Sequence, residues 1–450
     1  MPHRNHVFSR RNTRPITYAL LALAFFTIGL RAASAQTAPP AVVVDPGDYT
    51  RPITVTPAVP PGPYVPDPSY YDYDSKSPFV ADEKPFSEKN GIKITRVTFP
   101  SPVTTPYATN DTVVAYLFMP PEPGPHPALI VLPEWLPRNL KNEFQFCEDV
   151  TKAHTAALLI ESPFSLDRRP LPHVPQAELL SGNMPQMVGA IRQNVLDVRR
   201  GLDWLSTRPD IDSSRMGLSG ISLGAIIASL AAGVDRRAKV LLSIDGGADA
   251  AGLLWKSPFM KGLHKQLVQH GYNYEDLKVG MAPVEPTNWL KGYGAENALL
   301  VNGRYDTFIL PKQSQMLADS IGGAPIVWAN TGHYGLVLAE KNASNVGAEF
   351  LRARFFASGK PFNPPQTIAA PTIKLGLMLG GQGGLSPALA TQLINFDQKG
   401  RYSLDGMLTF HGLSLGLSGR LGQSSALGVE FPLLHGDIKP RPYLLMHIVL

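Results

Sequence analysis

Gly220-Ile221-Ser222-Leu223-Gly224 is a Gly-x-Ser-x-Gly pattern in a chain that holds 40 glycines. Such a serine does chemistry only if it sits on a strand-to-helix turn, with an acid and a histidine later in the chain. Both follow in that order. Asp306 lies in "VNGRYDTFI" and His333 in "ANTGHYGL", each just past a strand-like run. These residue types suit acyl transfer: the imidazole takes the serine proton, and the acid holds the imidazole tautomer. Asp245, in "LLSIDGG", is a second acid at a strand end. It also suits capping of the next helix, so Asp306 is the expected partner of His333. An oxyanion needs two backbone N–H donors. Leu223 follows the serine and supplies one. The other is expected from Trp135, or from its neighbour Leu136, in "PEWLP". Cys147 is the single cysteine, so neither an intramolecular disulfide nor a cysteine-based zinc site can form. The chemistry calls for no cofactor and no metal.

These residues need elements to hold them at one edge. Short apolar runs at residues 128–133, 155–163, 238–246, 297–303 and 324–330 read as buried parallel strands. Residues 92–99 and 112–120 alternate and read as an antiparallel opening pair. Residues 215–220 form the strand before Ser222, and "AIIASL" starts the helix after it. The longest helical stretch, residues 184–208, carries Val188, Ile191, Val195, Val198 and Leu202 at helical spacing. Eight strands with helices on both faces make an α/β class domain over residues 89–358. Its strand ends all gather at the edge where open α/β sheets bind ligands. The inserts 164–184 and 247–296 overhang that edge, and Trp135, Phe164, Trp255 and Tyr334 are candidate pocket walls.

From about Ile92 to Phe355 the chain resembles the dienelactone hydrolase branch of the α/β-hydrolase superfamily. The residues that carry the likeness are "LPEW", "DVRRGLDWLSTRPDID", "MGLSGISLGA", "GRYD" and "GHY". The resemblance implies the α/β-hydrolase fold and a mostly parallel eight-stranded sheet. It also implies that Glu134 lies next to the resting nucleophile. An ion pair with Arg138 is the alternative for that glutamate. The enzymes that name the branch use cysteine, whereas this chain has Ser222, which moves the expected activity toward the serine esterases. A prolyl-oligopeptidase-like peptidase shares the triad order. Its usual N-terminal propeller cannot fit in residues 36–90. A non-catalytic envelope binding protein is the third reading.

The flanking segments set compartment and assembly. Residues 1–35 have arginines at the start, an apolar run from Ile16 to Leu30, and Ala33-Ser34-Ala35. This is the pattern of a secretory signal peptide, with a retained anchor as the alternative. The precursor has 41 Lys+Arg against 36 Asp+Glu. Five of those arginines lie in the signal, so the remainder is balanced, and no nucleic-acid partner is expected. The implied partner is a small-molecule ester in the periplasm or outside the cell. Residues 36–88 are proline-rich and read as an extended lead-in, held to the body by Tyr70, Tyr71 and Tyr73. Residues 359–371 read as a linker. Residues 372–450 alternate with period two and read as roughly six strands of a small antiparallel β unit. Its leucine face is expected to be covered by the hydrolase, by a second copy, or by the cell envelope. All site residues lie upstream, so a chain ending near Ser358 is expected to keep an active core.

Overall fold

The computed structural model describes residues 64–170, 179–356, 362–381, 384–397, 400–433 and 439–450. The expected signal peptide and most of the lead-in lie outside them. The strands of the first sheet are β1 (Asp82–Lys89), β2 (Ile92–Pro100), β3 (Thr112–Met119), β4 (His126–Leu132), β5 (Ala156–Ile160), β6 (Ile211–Ile221), β7 (Ala238–Ile244), β8 (Ala298–Gly303), β9 (Ile326–Ala329) and β10 (Thr367–Ile368). Their order is β1-β2-β3-β5-β4-β6-β7-β8-β9-β10. From β5 onward every neighbour is parallel, and β1, β2 and β3 close the other side antiparallel.

The helices are α1 (Lys141–Thr151), α2 (Met184–Ser206), α3 (Leu223–Val234), α4 (Ala250–Lys256), α5 (Lys261–Gln269), α6 (Tyr274–Met281), α7 (Pro311–Ser320), α8 (Gly335–Leu338) and α9 (Glu340–Phe355). They cover both faces of the sheet, and side-chain parity in β4 shows how. Ala128, Ile130 and Leu132 join one apolar cluster, with α2, α3 and α7. Leu129 and Val131 join the other, with α1 and α9. A strand buried on both faces reads as a continuous apolar run, which is why β4, β5, β7 and β8 were visible in the sequence. The long α2 begins where Asn183 caps it, accepting from the Gln186 N–H at 3.2 Å, with Pro185 in the first turn.

Ten strands stand where eight are expected. β1 has the sequence DEKPFSEK and is exposed along its whole length. It lies inside the segment expected to be an extended lead-in, and it has no apolar alternation to betray it. β10 lies inside the expected linker and adds two residues to the edge beside β9. The tyrosines do fasten the start of the described chain. Tyr71 is fully buried and its hydroxyl donates to the Pro283 carbonyl at 2.9 Å. The Tyr73 hydroxyl donates to Asp203 at 2.5 Å. Arg192 donates to the Tyr70 carbonyl at 2.5 Å, and Arg199 donates to that of Tyr71.

The six strands expected downstream are β11 (Ile373–Gly380), β12 (Leu385–Asn395), β13 (Tyr402–Thr409), β14 (Gly412–Arg420), β15 (Ser425–Pro432) and β16 (Arg441–Val449). They run antiparallel in sequence order, and β16 pairs back onto β11, closing a barrel. Of the covers expected for the leucine face, the hydrolase does not supply one: Leu377, Leu379, Leu385, Leu408, Leu413, Leu417 and Leu427 point outward and stay exposed on the described chain, while Ser403, Asp405, Ser414 and Ser418 point inward and are buried. The physical reason is room: a ring of six strands has a narrow interior, which Gly416, Gly428, Ala388 and Ala390 fit and rows of leucine would not. A small inner layer of Met378, Ala388, Ala390, Met407, Tyr443 and Leu445 is the barrel's own apolar core.

Candidate active site

The turn between β6 and α3 holds Ser222 at φ 56° and ψ −118°, in the left-handed half of backbone space. A non-glycine residue persists there only where its surroundings over-determine it. The flanking glycines are part of that surrounding. A methyl group on Gly220 would collide with the Gly224 carbonyl, and one on Gly224 would collide with the carbonyls of Leu132 and Pro133. The close approach therefore also brings the loop after β4 against the start of α3. The Ser222 N–H is fixed by the Ile244 carbonyl at 2.9 Å.

Three strand ends supply the rest. Ser222 Oγ lies 2.9 Å from His333 Nε2, and His333 Nδ1 lies 2.6 Å from Asp306 Oδ2. Asp306 is fully buried, and its Oδ1 accepts from the N–H groups of Phe308 at 2.7 Å and Ile309 at 3.0 Å. Asp306 is thus oriented from two sides before it meets the imidazole. Asp245 is also buried nearby, but its Oδ1 accepts from the Gly303 N–H at 2.9 Å, and it makes no hydrogen bond to His333. A strand order of β2-β3-β5-β4-β6-β7-β8-β9 with a serine elbow after β6 and a histidine after β9 decides the architecture. The chain has an α/β-hydrolase fold.

No family model matches the chain. The uncharacterized protein YdjC of Bacillus subtilis (strain 168) is 28% identical over 101 residues, which is 22% of this chain and 87% of that protein. Among solved structures, the chain is similar to an acetyl xylan esterase from Paenibacillus sp. R4, at 20% identity, TM-score 0.49, 62% of this chain and 90% of that one. Acetyl xylan esterase 1 from Thermoanaerobacterium sp. JW/SL YS485 has 16% identity, TM-score 0.48, and coverage of 62% and 94%. A putative dienelactone hydrolase from Klebsiella pneumoniae subsp. pneumoniae MGH 78578 has 15% identity, TM-score 0.39, and coverage of 62% and 99%.

Electrostatics in this α/β-hydrolase fold centre on His333. Burial alone would push the imidazole down, but the adjoining Asp306, then Asp245 and Glu134, outweigh it and raise the pKa to about 9. Burial holds Asp245 well above the usual carboxylate range, and the charge of Asp306 adds to that. Asp245, Asp306 and His333 have ligand-type atoms within 4.8 Å of one another. Nδ1 and Oδ2 are in direct hydrogen-bond contact at 2.6 Å, which leaves no room for an ion between them.

Glu134 lines the pocket together with Ser222 and His333. Burial raises its pKa, partly offset by the imidazolium. No ion pair joins it to Arg138 within 4.0 Å, although both residues are described. Leu223 opens α3 directly after the serine, and Trp135 and Leu136 lie in the loop that Gly224 admits. Leu136 has φ 56°, so this loop is held in a special conformation.

Of the aromatic walls expected, Tyr334 lines the pocket and stands edge-on to His333, with centroids 5.6 Å apart. Phe164 instead packs in the core against Tyr107, and Trp255 packs against His264 and Tyr274. The residues missed are Phe308 and Phe259. Phe308 stacks on His333 at 5.0 Å, and Phe259 from the second insert stacks on Phe308 at 3.9 Å. Glu143 on α1 was missed too. It is buried, raised to about 7 by its burial, and accepts from the Glu134 N–H at 3.4 Å. A lone Phe or Glu carries no motif, so only the position of Phe308 two residues after Asp306 could have pointed to it.

Proposed function

We propose that the chain is an exported serine esterase that cleaves carboxylic esters of short acyl groups. The observation that carries this reading is the unbroken hydrogen-bond chain Ser222–His333–Asp306 on a strained strand-to-helix turn. His333 accepts the Ser222 proton as Oγ attacks the ester carbonyl. Asp306 holds the tautomer and stabilises the imidazolium. The oxyanion rests on the N–H groups of Leu223 and Trp135, where losing one donor costs about 10²–10³ in rate. The imidazolium protonates the leaving alkoxide, an acyl-serine remains, and water activated by His333 releases the acid.

A short acyl group suits the pocket, whose walls beside Ser222 are the apolar side chains of Phe146, Ile221, Ile244, Leu336 and Val337. The esterase names of the similar structures accord with this substrate class. Export rests on the arginine, apolar and Ala-x-Ala pattern of residues 1–35.

The deciding experiment pairs an active-serine phosphonate probe with turnover of p-nitrophenyl acetate, p-nitrophenyl octanoate and a peptide anilide. Labelling at Ser222 with acetate preferred is expected. Labelling with anilide turnover alone would make the protein a peptidase, and no labelling at all would leave a binding protein.

A further inference from the structure

The barrel is built inside out for a protein surrounded by water. Its six strands contain five charged residues, Lys374, Asp405, Arg420, Glu430 and Arg441, and all five take the inward register. Lys374 and Asp405 are buried and paired at 2.7 Å inside the ring, and Ser403 and Ser418 donate to the same carboxylate at 3.0 and 2.9 Å. The outward register is apolar apart from Thr391 and Ser425: Leu377, Leu385, Leu408, Leu417, Leu427 and Met446, one from each strand, are all more than a third exposed. Exposed patches on soluble monomers are local, whereas this band encircles the barrel.

Two further features fit one occupant. Tyr402 at the start of β13 and Phe410 just past its end are 57% and 83% exposed, so aromatic side chains stand at both ends of the apolar band. β14 and β16 are nine residues long. At about 3.3 Å per residue and a tilt of roughly 40°, they span about 23 Å, near the ~25 Å apolar height of outer-membrane barrels. We propose that residues 373–449 form a lipid-facing β-barrel that inserts into a bilayer and anchors the hydrolase. A second copy would cover one side of the cylinder and leave the rest in water. Among the described residues the hydrolase meets the barrel at one end, through Tyr305 with Gly400 and Arg420, Thr331 with Leu450, and Asn330 with Thr372. A continuous apolar solvent is what covers the whole circumference. The closed ring leaves no free strand edge, as a bilayer requires. Its interior is filled by Met378, Met407, Tyr443, Leu445 and the Lys374–Asp405 pair, which makes it an anchor, not a pore.

The test uses the full chain without residues 1–35, folded in detergent and mixed with phosphatidylcholine vesicles as the detergent is removed. The expected result is flotation with the vesicles in high salt and after an alkaline wash, with trypsin unable to cut within residues 373–449. Leu415→Arg/Leu444→Arg, two changes on the outward face, should at least tenfold reduce flotation while p-nitrophenyl acetate turnover persists, which shows that the hydrolase has folded. A wild-type chain that stays dispersed in water as a monomer would overturn the proposal. So would a discrete soluble oligomer whose barrel is protected without lipid, because a second copy would then be the occupant. Flotation undiminished in the double variant would overturn it as well.

Discussion

At the scale of single residues, the geometry separates the two acids. Asp306 touches His333 Nδ1 and is clamped by two backbone N–H groups, whereas Asp245 is engaged with Gly303. Asp306→Asn should therefore lower kcat by about 10³–10⁴, as loss of the tautomer-fixing acid does in other triads. Asp245→Asn should lower it less than tenfold, and Ser222→Ala should abolish turnover with an unchanged melting curve. Steady-state kinetics on the purified variants decides all three. The pH dependence follows from the same cluster. His333 acts as a base only when neutral, and its pKa is raised to about 9. kcat/KM should then climb with pH up to a limb near 9. Glu134→Gln removes one of the negative neighbours and should move that limb downward, as a pH-rate profile would read. The stability that the charged imidazole gains from Asp306 runs the other way. It is complete below the ordinary imidazole range and is lost as pH rises through 9. Ser222, His333 and the flanking glycines were legible because a nucleophile elbow constrains neighbours in sequence. Phe308, Phe259 and Glu143 were not, because they reach the site through space from three separate elements.

At the scale of elements, strands buried on two faces announced themselves and edge strands did not. β4, β5, β7 and β8 are runs of mostly apolar residues, while β1 is mostly charged and polar, with Phe86 its single large apolar side chain. In the barrel, the period of two was plain, but the period alone does not say which face is inside. Burial logic for a soluble sheet points the leucines inward, and six-strand closure points them outward. Lys374 and Asp405 show what that reversal requires, since each is buried and each depends on the other. Lys374→Met leaves a buried carboxylate without its partner and should cost about 3–5 kcal/mol, whereas Lys374→Met/Asp405→Leu should recover most of it. Denaturant titration of the folded barrel in detergent measures both. A double variant as unstable as the single one would mean that Ser403 and Ser418, not the ion pair, hold this layer.

At the scale of the whole molecule, the barrel meets the α/β part beside His333. The Leu450 carbonyl, just past β16, accepts from the Gly332 N–H at 3.0 Å and from Thr331 Oγ1 at 3.1 Å. A methyl group on Gly332 would collide with the Val449 carbonyl, so the loop and the end of β16 are in close contact. The sequence alone separates these parts, because nothing in "ANTGHYGL" names a partner more than a hundred residues downstream. A chain ending near Ser358, expected to keep an active core, would lack these contacts to the loop that carries His333. Such a truncation should lower kcat by at least tenfold, with the Ser222 probe still reacting slowly. Turnover equal to wild type would mean that the loop holds itself. β16 has a further duty, since it pairs with both β11 and β15 and so completes the ring. Ring closure therefore also brings Leu450, directly after β16, to the loop that carries His333. The β11–β16 contact joins distant parts of the sequence, and such contacts form late. During refolding into detergent, ester turnover should return with the rate constant of barrel closure, read by protease resistance, and not with the faster collapse of the α/β core. A chain still on its way to its destination would carry a complete serine elbow and work only slowly, which makes full turnover a clock for the end of the journey.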